Sequence, residues 1–126
     1  MIVGIGIDAI EIDRVGRMFA DKGERMLQRL FTPDELAYIN TKVAPAQHLA
    51  VRLAAKEAAY KALSGNELAR GMGWRDVEVV SRADGSPILR LHGRAELRYR
   101  ELCGSSVHVS LTHSLNTAVA VVIIER

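Results

Sequence analysis

The sequence predicts a small single domain of the α+β class, in which a mainly antiparallel sheet packs on one long helix. Three observations carry this prediction. Strand patterns stand at both ends of the chain, a hairpin pattern surrounds the Asp84-Gly85 pair, and the longest helical pattern runs from about Pro45 to Leu63. Strands that bracket the helices favour this class over a regular alternation of strands and helices.

The first strand is predicted from the segment IVGIGID, in which side chains of different character alternate. Gly4, Gly6 and Asp8 would share one face, and three larger aliphatic residues would share the other. Glycines on a strand leave room for a ligand or for another backbone to approach closely. Asp8 at the end of this face has two interpretations: it caps the following turn, or it binds a ligand.

Helical patterns follow the first strand. The segment IDRVGRMFADKGERMLQRLF predicts one or two helical turns and a helix, interrupted near Gly23. In TPDELAYIN, Thr32 can cap a helix, Pro33 takes the first helical position, and Glu35 completes a capping box. The segment RAELRYRELC predicts a short amphipathic helix, and the glycine-bearing SGNELARGMGW predicts a loop.

The second half of the chain supplies the other strands. Val77 to Val79 and Pro87 to Leu91 flank the Asp84-Gly85 turn and predict a hairpin. The segments SVHVSLTHS and TAVAVVIIE predict two strands joined by a short turn around Asn116. The last strand has two interpretations, a central position in the sheet or a part in a subunit interface.

The long helix has a carboxylate where an apolar residue is expected. At 100° per residue, Glu57 falls between Leu53 and Ala50, inside the apolar stripe, and Lys61 falls on its edge. A buried carboxylate is unfavourable unless it is paired, hydrogen-bonded or metal-bound. Two interpretations remain open: a Glu57–Lys61 pair one turn apart, or a cleft with Glu57 facing a metal and Lys61 an anion.

Two or three acids and a lysine form the candidate reactive group. Asp8, Glu57 and the nearby Glu11 together with Lys61 suit Mg²⁺ and phosphate. Magnesium prefers a few carboxylates, several waters and substrate phosphates to a full protein cage. The sequence therefore predicts a magnesium and phosphate site, with only moderate specificity from these residues alone.

Composition narrows the function classes further. The 126 residues are 48% hydrophobic and 25% charged, without repeats or linkers, so residues 1–126 are taken as one domain. A net charge of +2 is too weak to indicate nucleic acid, and a basic patch for an acidic protein fits equally well. The only cysteine, Cys103, excludes an internal disulfide. The first residues have no signal-peptide or membrane pattern, so we expect a cytoplasmic protein.

Three segments closely resemble the signature segments of the holo-acyl-carrier-protein synthases, the short bacterial 4′-phosphopantetheinyl transferases. They are GIGIDAIEIDRV, RLAAKEAAYKAL and VHVSLTHS. The resemblance is near full length and includes FTPDELAYI, WRDVEVV, the DGSP turn and AVAVVIIER. It implies the α+β phosphopantetheinyl transferase fold, assembled as a homotrimer with active sites at the subunit interfaces.

The resemblance also implies a reaction. Such enzymes use Mg²⁺ to move phosphopantetheine from coenzyme A to a serine hydroxyl of apo acyl carrier protein, and they release adenosine 3′,5′-bisphosphate. This activity supports fatty-acid and, in some members, polyketide synthesis. Glu57, or a metal-bound water that it orients, would take the serine proton, and the sequence leaves both open.

Site residues are carried over from the family motifs. Asp8 and Glu57 would bind the metal, and with Lys61 on the coenzyme A phosphates they would form the catalytic group. His113 of a neighbouring subunit would contact the 3′-phosphate, with Ser114 beside it. The other residues expected near the nucleotide are Arg52, Lys56, Gly65 and the Gly85–Pro87 turn. Arg14 is expected to meet the acidic carrier protein, and Arg17, Arg25 and Arg29 would extend that patch, more on the ground of charge than of motif.

Two departures and two rival functions qualify this hypothesis. The stretch SGNELARG keeps Gly65 but not the family's glycine-rich turn, and Ser86 replaces a lysine in the family's GKP turn. One rival is a non-catalytic module that binds nucleotide or acidic protein through the same basic surface. The other is a magnesium-dependent phosphohydrolase.

Overall fold

The computed structural model describes residues 1–126 and contains five strands and five α-helices. In chain order the elements are β1 (Ile2–Glu11), α1 (Ile12–Leu30), α2 (Pro33–Ile39), α3 (Pro45–Leu63), α4 (Glu67–Arg70), β2 (Val77–Ser81), β3 (Pro87–Leu91), α5 (Gly93–Glu101), β4 (Ser106–His113) and β5 (Thr117–Glu125). The predicted α+β class is confirmed. The segment predicted as a loop contains the short helix α4 and a single 3₁₀ turn at Trp74–Asp76.

Two separate antiparallel sheets make up the β structure. The larger has the strand order β1-β5-β4, and the β2-β3 hairpin forms the smaller one. Strand β5 is central, and its buried residues alternate along its whole length. The register places Asp8 opposite Ala120, which in turn lies opposite Leu111. Of the two positions considered for the last strand, the structure therefore gives the central one.

Helix α3 packs directly on the glycine face of β1. A Cβ atom at Gly4 would overlap the carbonyl oxygen of Ala62, and one at Gly6 would overlap that of Ala58. The helix contributes small side chains to this contact, and its alanines at 54, 55, 58, 59 and 62 are all buried. The glycines are therefore needed for the approach of another backbone, which was one of the two uses expected from the sequence.

Helix α3 is buried on almost every side. Two apolar clusters flank it, one with β2, α5 and the sheet and the other with α1, α2 and β5. From Leu49 to Leu63 only Glu57, Tyr60 and Lys61 are not buried. The apolar stripe predicted from the wheel is therefore wrong in one respect: Glu57 lies on a narrow open strip of a helix that is otherwise enclosed.

The two helices before α3 begin and bend as the sequence predicts. Gly23 interrupts α1 with φ of 70°, in the left-handed region that favours glycine. At the start of α2, the Thr32 hydroxyl accepts from the Glu35 amide at 3.2 Å, and the Glu35 carboxylate accepts from the Thr32 amide at 2.9 Å. This is the predicted capping box. None of the helices combines the length and apolar character that a membrane crossing requires.

Candidate active site

The close packing of β1 on α3 brings Asp8 to the open strip of the helix. Asp8 is on the same face of β1 as Gly4 and Gly6. It therefore also faces α3, two residues after the last glycine that packs against the helix. Lys61 Nζ donates to Asp8 Oδ1 at 3.2 Å and to the carbonyl of Ile7 at 2.9 Å. The carboxylate is 19% exposed and the lysine side chain 53% exposed. The strand and the helix therefore meet in a pair that solvent and ligands can reach.

Glu57 lies one helical turn before Lys61, and both members of this pair affect the pKa of its carboxyl. Burial raises the pKa of the Glu57 carboxyl, and the nearby Asp8 carboxylate raises it further, while Lys61 lowers it. A carboxyl whose pKa is raised by a neighbouring carboxylate lies where added positive charge is favourable. The sequence alternative of a simple Glu57–Lys61 pair does not describe this arrangement, because Lys61 is bonded to Asp8.

Two cavities meet at Glu57. The larger, of about 480 Å³, is lined by Asp8, Glu57 and Trp74 together with apolar residues of α1 and α3. The smaller, of about 290 Å³, is lined by Glu57 and Trp74 and also by Lys56, Tyr60, Arg70, Met72, Gly73 and Val77. Glu57 and Trp74 therefore form the wall that the two cavities share.

The predicted carrier-binding arginines divide into two groups. Arg14 and Arg29 line the larger cavity with Asp8 and Glu57. Arg17 and Arg25 are exposed on α1 but do not line it. Arg14 therefore lies beside the acids, and of the three arginines predicted mainly from charge only Arg29 does so as well.

A second group lies around His48 in the first half of α3 and comprises Arg52, which is only 4% exposed, and the exposed His113. The Arg52 guanidinium lies 4.5 Å from the centre of the Tyr38 ring and donates to Ser81 Oγ at 3.1 Å. His113 Nε2 lies 2.7 Å from Gln47 Nε2. Burial lowers the pKa of His48 beside them, and the positive charges of Arg52, Lys42 and His113 lower it further. This end of α3 is therefore a region of positive potential.

The other predicted nucleotide residues lie at three places. Pro87 pairs with Ser81, the hydroxyl partner of Arg52, so the hairpin turn belongs with the second group. Gly65 has φ of 123° just after α3, on the Lys61 side. Ser114 is exposed in the β4–β5 turn, where its amide donates to the Thr117 carbonyl at 2.8 Å. Along α3, Arg52 lies five positions from Glu57, about 8 Å of helix rise, and nine positions from Lys61, about 14 Å.

Lys56 is the predicted site residue whose position differs most from expectation. It is only 2% exposed, and its ammonium group is bonded to Glu35 and to the carbonyls of Trp74 and Val77. Burial lowers the pKa of Lys56, and the Glu35 carboxylate opposes that shift. The geometry therefore gives Lys56 protein partners instead of an open phosphate site.

Sequence reasoning missed Trp74, Tyr60 and Glu35. Trp74 lies within WRDVEVV and is the only tryptophan, which was the available signal. On the helical wheel Tyr60 falls beside Leu53 in the apolar stripe, but the structure leaves it 40% exposed, lining the smaller cavity. Glu35 was assigned only to the capping box, and no local pattern links it to Lys56, which lies 21 residues away.

Comparison with known proteins gives one consistent result. The family model described as the 4′-phosphopantetheinyl transferase superfamily matches residues 4–120. The chain is 45% identical over 126 residues to the holo-[acyl-carrier-protein] synthase of Geobacter metallireducens, covering 100% of this chain and 99% of the relative. This relative and the family model agree over almost the whole chain.

Solved structures of this kind share the fold. The holo-[acyl-carrier-protein] synthase from Neisseria meningitidis has a TM-score of 0.87 and 29% identity, with 100% of both chains covered. The holo-(acyl-carrier-protein) synthase from Bacillus anthracis, in complex with CoA (3′,5′-ADP), has a TM-score of 0.78 and 32% identity, covering 98% of this chain and 96% of that one. By sequence over its full length and by fold, this chain belongs to the 4′-phosphopantetheinyl transferase superfamily.

Proposed function

We propose that this enzyme transfers 4′-phosphopantetheine from coenzyme A to a serine hydroxyl of apo acyl carrier protein and releases adenosine 3′,5′-bisphosphate. The observation that carries the proposal is the meeting of Asp8, Glu57 and Lys61 at the wall between two cavities. Relatives named holo-[acyl-carrier-protein] synthase match the whole chain, which supports the substrates. The product would serve fatty-acid or polyketide synthesis, and the cytoplasmic location expected from the sequence stays a prediction.

The two acids fit a magnesium ion. Asp8 and Glu57 line one cavity, and the pKa of Glu57 is raised by burial and by Asp8, so a cation between them would relieve an existing repulsion. No cluster of three potential ligands from histidine, cysteine, aspartate or glutamate is present, so Glu11 is not part of the proposed set. Two carboxylates completed by water and substrate phosphate are a common arrangement for Mg²⁺. When bound, Mg²⁺ would neutralise charge on the pyrophosphate of coenzyme A.

Lys61 would contribute positive charge to the same pyrophosphate. Its side chain is half exposed and its ammonium is bonded to Asp8 and to the Ile7 carbonyl, which leaves one of its three donors for a phosphate oxygen. Asp8 holds the ammonium in place without burying it. Phosphoryl transfer depends mainly on such positioning and on fixed positive charge, because little covalent chemistry is required of the protein.

Glu57 is the proposed acceptor of the serine proton, directly or through a water that it orients. Its raised pKa supports this role, because a carboxylate of higher pKa is a stronger base at the pH where it is still ionised. Glu57 lines the larger cavity together with Arg14 and Arg29, which supports approach of the carrier serine to Glu57 from the side of these arginines. An acidic carrier protein would be drawn to that side.

The nucleotide half of coenzyme A is proposed to bind across two subunits of a homotrimer. The Arg52–His113 group faces Tyr38 and Ser81, whereas Lys61 of the Asp8–Glu57–Lys61 group lies nine positions further along α3. The sheet face away from α3 exposes Ile5 and Ile7, each 62% accessible, which supports contact with another subunit there. Joining the second group of one subunit to the first group of the next would complete the site.

Mass spectrometry of the carrier protein tests the proposal. Apo carrier protein, coenzyme A, Mg²⁺ and the enzyme are incubated together, and we expect a gain of one phosphopantetheine mass that disappears when the metal is chelated. A non-catalytic module predicts no mass gain of the carrier protein. A phosphohydrolase predicts loss of coenzyme A without any carrier. Either result would contradict the proposed transfer.

A further inference from the structure

A buried lysine of α3 is bonded to the turn that leads into strand β2. Lys56 Nζ donates to Glu35 Oε1 at 2.8 Å, to the Trp74 carbonyl at 3.1 Å and to the Val77 carbonyl. An ammonium group has three donors, so these three acceptors use all of them. Lys56 therefore holds this turn against the helix and has no donor left for a phosphate.

Glu35 ties the lysine to two further elements. Its side chain is fully buried, and it also accepts from the Val79 amide at 3.0 Å and from the Thr32 amide at 2.9 Å. A buried charge is retained only where its partners are fixed, because removal of either partner leaves the other uncompensated. The pair therefore makes the start of α2, the middle of α3 and strand β2 a single rigid unit.

The turn held by Lys56 carries Trp74, which lies beside the reactive group. Trp74 lines both cavities, and so does Glu57, the residue that follows Lys56 in the helix. The hydrogen bond from Lys56 Nζ to the Trp74 carbonyl thus ties the turn that carries Trp74 to the helix position next to Glu57. A change in that bond would change the width of both cavities.

We infer that Lys56 is a positioning residue for phosphopantetheine transfer, which fixes the Trp74 wall beside Glu57 and does not contact the nucleotide. The expected effect of Lys56 on the rate of transfer rests on the proposed function, whereas its expected effect on the position of Trp74 does not. A displacement of about 1 Å of a group that aligns reactants can cost about 10²-fold in rate, so the wall is expected to matter for turnover.

The single tryptophan of the chain makes the inference testable without substrate. In Lys56→Met we expect red-shifted Trp74 emission and a higher constant for quenching by acrylamide. We also expect kcat/KM for transfer to fall at least about 10-fold while the Kd for adenosine 3′,5′-bisphosphate stays near the wild-type value. A bisphosphate affinity that falls with Trp74 unchanged would overturn the inference, because that is the pattern of a nucleotide ligand.

Lys61→Met is the matched control, since it removes the same group from the same helix. We expect it to leave Trp74 quenching at the wild-type value and to weaken binding of coenzyme A. Lys56→Gln retains N–H donors and is used where Lys56→Met does not fold, with a smaller rise in quenching expected. Unchanged quenching in either folded Lys56 variant overturns the inference. Absence of transfer by the wild-type enzyme would instead refute the proposed function and leave the Trp74 result valid.

Discussion

Lys61 of helix α3 and Asp8 of strand β1 are joined at 3.2 Å, 53 residues apart in the chain. The contact exists because two glycines before Asp8 let the strand approach the alanine face of the helix. The pair partly compensates the negative charge around Glu57, whose pKa Lys61 lowers against the effects of burial and Asp8. Packing of small residues thus determines the electrostatics of the reactive group.

Loss of either acid is expected to abolish transfer and leave the fold intact. Asp8→Ala and Glu57→Ala remove partly exposed side chains and open no core cavity, so the melting temperature should change little. Each should lower magnesium-dependent transfer more than about 10²-fold, as loss of a group that stabilises transition-state charge does. The measurement is initial rate against Mg²⁺ concentration. Normal activity in either variant at ordinary Mg²⁺ concentration would refute the metal assignment.

The stability of the metal-free protein should depend on pH through Glu57. Its pKa in the folded state is raised, so the native protein binds more protons than the unfolded chain at pH values just above 4.5. The free energy of unfolding therefore falls as the pH rises through that window. Glu57→Gln has no ionisable group at this position, so its free energy of unfolding does not fall for this reason. The variant should therefore be more stable than the wild type above about pH 4.5, and this difference should be absent at lower pH. Denaturant unfolding at a series of pH values measures the difference.

Added Mg²⁺ provides the control for that experiment. A metal that binds only the folded protein raises its stability by mass action. We expect Mg²⁺ to raise the melting temperature of the wild type at neutral pH and to affect Glu57→Gln much less. An equal rise in both proteins would indicate that the ion binds elsewhere.

Local patterns were sufficient for most of the fold and for the chemistry of the site. The strand alternation, the capping box at Thr32 and Glu35 and the Asp84-Gly85 turn each depend on neighbouring residues, and the structure contains all three. Asp8, Glu57 and Lys61 were identified by a wheel, a strand end and a family resemblance. The structure brings these three together.

The same reasoning could not identify contacts between residues that lie far apart in the sequence. Lys56 is next to Glu57 in a family motif and reads as a phosphate ligand, but its partner Glu35 lies on another helix. The wheel assumed one buried face, whereas α3 is enclosed by two clusters, so an amphipathic stripe was the wrong description. Burial by elements distant in the chain leaves no periodic signal in the helix itself.

Gly6→Ala should destabilise the fold and the reactive group together. The new Cβ would overlap the Ala58 carbonyl, which is backbone and has little freedom to move. Overpacking of this kind costs about 1–3 kcal/mol of unfolding free energy. Separation of β1 from α3 should also weaken the Asp8–Lys61 contact and reduce transfer. Chemical denaturation and initial rates measure the two effects.

Gly16→Ala is the matched control for that change. A Cβ at Gly16 lies 3.5 Å from the Ala46 side chain, an ordinary van der Waals distance, and the residue is within helix α1. Alanine is favoured over glycine in a helix by about 0.5–1 kcal/mol, so this variant should be neutral or more stable. Equal losses in both variants would contradict the proposed role of the glycine face.

Reversal of Arg14 should affect the carrier protein more than coenzyme A. Arg14 lines the larger cavity with Asp8 and Glu57, so Arg14→Glu would repel an acidic partner at the entrance to the acids. We expect a large rise in KM for the carrier, a small one for coenzyme A, and a weaker dependence of the carrier KM on salt. Arg100→Glu on helix α5 serves as the control for charge alone. Equal effects on both substrates would refute the assignment.

Binding of adenosine 3′,5′-bisphosphate should raise the pKa of His48. In the free protein that pKa is lowered by burial and then by Arg52, Lys42 and His113, so a phosphate near these cations would offset their effect. The measurement is an NMR pH titration of the four histidines with and without the bisphosphate. Arg52→Met should raise the His48 pKa before any ligand is added, because it removes one of the cations. A His48 pKa that stays constant on saturation with the bisphosphate would move the proposed nucleotide site away from this end of α3.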